Sequence, residues 1–136
     1  MKRWGLLLLR VSTGWLLVMW GVDKVVNVEH AIAVTNRFYF GIGSQPMFLN
    51  LFGVFETILG GLVIVGLFRQ KTYPLLFAVT LVSGLSVWQS ILDPWGWVLE
   101  GSNVLLYPSL IITAGAMTLW GFIDDDSIAL DAKKAA

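Results

Sequence analysis

The chain has 136 residues, 57% hydrophobic and only 13% charged, with zero formal net charge and a mean hydropathy of +0.76. A soluble domain carries about 25% charged residues, so this composition excludes an ordinary water-facing surface and places the chain in a bilayer as a single unit. The neutral total offers nothing to a nucleic acid, the lack of cysteine excludes thiolate metal sites and iron–sulfur clusters built by this chain, and the one histidine excludes a bis-histidine haem.

Met1-Lys2-Arg3 leads into an apolar stretch, as in a signal peptide. The stretch is long for that role, and Gly21-Val22-Asp23-Lys24 is a poor cleavage site, so it is read as a retained first span. Four apolar stretches of this kind occur, at about residues 4–26, 47–67, 73–92 and 104–123. Roughly 20 residues at 1.5 Å each cover a hydrocarbon core of about 30 Å. Backbone groups in lipid must be satisfied within the segment, so each span is expected to be helical and the fold all-α, a four-helix membrane bundle.

Between spans one and two lies the longest connection, residues 27–46, read as a periplasmic loop. A short interfacial helix is expected there at 29–38, with an apolar patch at Phe38-Tyr39-Phe40-Gly41-Ile42-Gly43. His30 is read as an exposed loop residue. Arg69-Gln70-Lys71 and Tyr73-Pro74 read as the turn between spans two and three, with Pro74 in the first turn of the third helix. Asp93-Pro94-Trp95-Gly96-Trp97 ends the third span with two breakers and two interface aromatics. Pro108 falls in the first turns of the fourth span, and residues 124–136 form a tail. With both ends on one side, that side holds Lys2, Arg3, Arg69, Lys71, Lys133 and Lys134, against Lys24 and Arg37 on the other. The excess places both termini in the cytoplasm.

Polar residues inside the spans are few, which makes them the candidate site. Arg10, Gly14, Leu17, Gly21 and Lys24 share one helix face, as do Gly53, Glu56 and Gly60 on the second span. Ionisable groups at bilayer depth turn toward protein or a wet cavity, and small residues beside them let helices approach. Arg10 is about 9 Å from Trp4 along its helix and Glu56 about 16 Å from Leu67. Those depths predict an Arg10–Glu56 pair, with three uses open: fixing helix register, binding a quinone head group or small anion, or proton transfer by Glu56. A second cluster is expected at the outer face from Asp23, Lys24, Gln89, Asp93, Glu100 and Asn103. The serines at 83, 86 and 90 follow helical spacing without a base beside them and read as packing positions.

Leu9-Arg10-Val11-Ser12-Thr13-Gly14 with Gly21-Val22-Asp23-Lys24 resembles the opening span of the DoxX family of small four-helix membrane proteins. Phe55-Glu56 with Gly60-Gly61 and Gly66 resembles that family's second span, and Glu100 and the tail Ser127-Ile128-Ala129-Leu130-Asp131 fit more loosely. The chain departs from the family's common Gly-x-Gly-Arg tail, having Gly121-Phe122-Ile123-Asp124-Asp125-Asp126 there. The resemblance implies a multi-pass protein of the bacterial inner membrane, an accessory subunit of a quinone-linked respiratory or redox complex. It would have no redox centre or metal of its own; a quinone is the implied cofactor, and the bilayer and other subunits the implied partners. A scaffold or assembly protein, or a small anion or proton transporter, are the rival readings. Enzymatic activity of this chain alone is not expected.

Overall fold

The computed structural model describes residues 1–39, 45–100 and 102–129. Every described element is helical: α1 (Lys2–Val26), α2 (Val28–Phe38), α3 (Pro46–Val65), α4 (Arg69–Ser86), α5 (Trp88–Leu92), a 3-10 turn (Val104–Leu106) and α6 (Pro108–Gly121). Three segments are long and apolar enough to cross a membrane: Lys2–Val26, Pro46–Val65 and Val104–Gly121.

The third predicted span divides into α4 and the short α5, with the break at Val87 (φ −112°, ψ 29°). The predicted turn at Arg69–Lys71 also moves. Gly66, at φ +73°, ends α3, and the Leu67 N–H donates back to the Leu62 carbonyl, the left-handed stop that glycine makes cheaply. Phe68 (φ 55°) then starts α4, so Arg69, Gln70 and Lys71 are its opening residues and Pro74 lies within it rather than at its start. Pro46 and Pro108 do sit in the first turns of α3 and α6, where the missing N–H costs nothing. A helix does form where one was expected at 29–38: it is α2. The patch residues Phe40 to Gly43, the tail residues Leu130 and Asp131, and Lys133 and Lys134 lie outside the described residues.

α1 packs on α3, α3 on α4, α4 on α6, and α6 returns to α1. Their shared core is Leu6, Leu17, Leu59, Val63, Tyr73, Leu76, Ala116 and Leu119. The α1–α3 pair is antiparallel and the closest. A Cβ placed on Gly14 would stand 2.8 Å from the Gly60 carbonyl oxygen, and one on Gly60 would stand 2.5 Å from that of Gly14. Backbone thus meets backbone, the approach that small residues permit in lipid. The α4–α6 contact is pinned differently: the Thr113 hydroxyl donates to the Thr80 carbonyl at 2.9 Å.

Candidate functional site

The glycine contacts set the level of every polar group on α1 and α3. Gly14 faces Gly60 and Gly21 faces Gly53, so Arg10 is level with Ile64, whose carbonyl accepts from Arg10 Nε at 3.3 Å. Glu56 lies eight residues further along α3, about 12 Å away. Side chains lean toward the N-terminus of their own helix. On antiparallel helices Arg10 and Glu56 therefore lean apart, whereas Lys24 and Glu56 lean together. Arg10 and Glu56, expected to be partners, instead anchor two separate ion pairs. Taking Trp4 and Leu67 as level ends placed Glu56 a few ångströms too close to Arg10.

The first pair closes one end of the bundle. Arg10 Nη1 donates to Asp126 Oδ1 at 2.7 Å, with Arg10 2% and Asp126 0% exposed. Tyr73 donates its hydroxyl to Asp126 Oδ2. Arg69 Nη1 reaches the Ile123 carbonyl at 2.9 Å and the Asp126 carbonyl at 2.5 Å, and its guanidinium stands 3.6 Å from the Asp126 carboxylate. The chain after α6 thus folds back into the bundle: Ala129 is buried, and it packs where a Cβ on Gly66 would be. Asp126, Tyr73 and Arg69 are not among the site residues expected from sequence, where Arg69 and Tyr73 read only as turn residues. The available signal was an acidic run directly after the last span, within reach of an arginine placed less than two turns past Trp4.

The second pair borders a cavity. Lys24 Nζ stands 2.5 Å from Glu56 Oε1, and Glu56 is 1% exposed. The contact is an ion pair: among the described residues no donor meets that oxygen in directed hydrogen-bond geometry. Lys24 also lies 5.6 Å from the centre of the Phe52 ring, a cation–π distance. Around them opens a cavity of about 600 Å³. Its walls come from Trp20 of α1, Val34 and Phe38 of α2, Phe48 and Phe52 of α3, and Val79 and Val82 of α4. Asp23 and His30, paired at 2.7 Å, and Ser83, which accepts from the Tyr39 hydroxyl at 3.4 Å, add polar points to the lining. His30 is exposed, as expected, but belongs to α2 rather than to a loop.

The expected outer cluster divides in two. Asp23 and Lys24 belong to the cavity. Asp93 accepts from the backbone N–H groups of Trp97, Val98 and Leu99. Those bonds hold its carboxyl below the ordinary aspartate value, Leu99 contributing most. Asn103 accepts from Leu105 N–H, its own N–H donates to Ser90, and the Gln89 carbonyl accepts from Ser102. Glu100 is exposed. Among the described residues no hydrogen bond or ion pair joins this outer loop to Asp23 or Lys24, and no group of three metal-ligating side chains occurs.

Residues 5–89 match the family model DoxX, which covers more than half of the chain and takes in α1 to α4 with both ion-pair arginine and lysine and Glu56. No curated protein and no solved structure matches the chain.

Proposed function

We propose, since the chain belongs to the DoxX family, that it serves as an accessory subunit of a quinone-linked redox complex in the bacterial inner membrane. It crosses the bilayer four times, α4 with α5 forming the third crossing, and keeps both termini in the cytoplasm. The cavity beside Lys24 and Glu56 holds the quinone head group. One observation carries this reading: a cavity of about 600 Å³, walled by aromatic and aliphatic side chains, with a buried carboxylate and a partly buried ammonium paired at one point. Small-molecule sites have that make-up, about 300–1,000 Å³ of mostly apolar lining with a few placed polar groups. The positions that supply the ion pair are also those through which the chain resembles its family. Electrons that reach the quinone pass to or from a neighbouring subunit.

A dead-end site fits better than a conduit. The polar groups at the opposite end, Arg10, Asp126, Arg69 and Tyr73, are tied to one another, which supports binding over anion or proton transport.

The reading predicts saturable quenching of tryptophan fluorescence when a short-chain ubiquinone is added to the protein in lipid nanodiscs, because Trp20 lines the cavity. Ser83→Phe, which narrows the cavity from α4, should weaken binding at least tenfold. Quenching that rises linearly with quinone in the lipid, and equally in both proteins, would overturn the assignment.

A further inference from the structure

We propose that Lys24 and Glu56 make the cavity selective for the hydroquinone form of its ligand over the oxidised quinone. This rests on the quinone reading above and adds which redox state the site holds.

Glu56 is among the residues that line the cavity, and its Oε1, buried against Lys24, meets no donor in hydrogen-bond geometry among the described residues. An ionised carboxylate only accepts, and an ammonium only donates. Held 2.5 Å apart, the two present an acceptor directly beside a donor. A hydroxyl matches that arrangement: its O–H donates to Glu56 while its oxygen accepts from Lys24. A quinone carbonyl accepts only. It can use Lys24, but it then brings a second lone-pair oxygen against Glu56 and offers the carboxylate no donor.

Hydrogen bonds to charged groups are the stronger kind, and a buried charged acceptor without a donor is costly. The expected preference is therefore roughly tenfold or more in dissociation constant. Phe52 supports the same conclusion by placing an aromatic face against the Lys24 ammonium. That contact holds the donor in place beside the carboxylate. No electron transfer within this chain is implied; the pair sets which form of the ligand is retained.

The test compares a short-chain ubiquinol with the corresponding ubiquinone, under anaerobic conditions, on the intact protein in nanodiscs. The ubiquinol should bind at least tenfold more tightly, which raises the midpoint potential of the bound couple by about 30 mV. Glu56→Gln, which puts an N–H donor beside the acceptor, should bring the ratio close to one while Ser83→Phe weakens both forms alike. Equal affinity, or tighter binding of the quinone, overturns the inference and leaves the quinone site standing. Binding of neither form overturns both. The wild-type ratio decides the matter even if Glu56→Gln fails to fold.

Discussion

The two ends of the bundle each bury a carboxylate held in an ion pair, yet the pairs are built to different plans. Around Asp126 the carboxylate is filled: Arg10 takes one oxygen, Tyr73 the other, and Arg69 adds its charge while holding the local backbone. Around Glu56 the described residues supply one lysine to balance the charge and no donor in hydrogen-bond geometry to Oε1, and the space alongside is open. A buried charge with every partner supplied by its own chain is a fastening. A buried charge with a partner missing, facing a cavity, has room for something else. The difference separates architecture from function in a molecule where both use the same residue types.

The sharpest way to break this comparison is to remove each carboxylate in turn. Asp126→Ala leaves Arg10 and Tyr73 facing each other without the anion that joined them. Losing one partner of a buried pair costs about 3–5 kcal/mol. The unfolding temperature in detergent should fall by roughly 10 °C. Glu56→Gln should cost about 1 kcal/mol, because Lys24 is 23% exposed and its ammonium can find solvent within the cavity. Equal losses from the two substitutions would mean that both pairs are fastenings.

A smaller effect tests the α1–α3 register that keeps Arg10 and Glu56 apart. Gly60→Ala forces a methyl against the Gly14 carbonyl oxygen, an overpacking worth about 1–3 kcal/mol. Gly61→Ala, where an added Cβ meets nothing within 4 Å, should be neutral or slightly stabilising. Thermal unfolding of the two neighbours gives the answer directly; matched values would argue against backbone contact at this level.

The smallest effect lies at the outer loop, which has a carboxylate of a third kind, exposed and held by backbone. Folding lowers the Asp93 pKa from 3.8, so its contribution is full above that value and is lost as pH falls through the lower, folded one. Trp95 and Trp97, stacked at 5.1 Å, report the change. Their fluorescence should shift below about pH 4 in the wild type, and Asp93→Asn should show the acid-like spectrum already at neutral pH. A spectrum independent of pH in both proteins would remove the cap.

Much of the helical layout was legible in one dimension. Apolar runs of span length marked α1, α3 and the α6 segment because lipid forces backbone bonds inside each segment. Gly14, Gly21, Gly53 and Gly60 marked the contact faces by their spacing. Legibility ended where level and direction mattered. Gly66 and Phe68 share the left-handed turn between α3 and α4, and a charged run three residues later was the more visible signal. Asp126 looked like one of three tail aspartates, and nothing local distinguishes it from Asp124 or Asp125. Its burial follows from where α6 ends relative to Arg10 and Tyr73.

Composition and spacing by themselves settled that this chain lives in a membrane, that it is helical, and which few ionisable residues must be sheltered from lipid. Those facts are local: each follows from the cost of a charge or an unbonded amide in hydrocarbon. Partnership was decided only in three dimensions. Helix register, fixed by glycine contacts, sets which groups share a level, and the N-terminal lean of side chains on antiparallel helices sets which of those can touch. Arg10 and Glu56 were legible as buried, but only the packed bundle gives one to Asp126 and the other to Lys24.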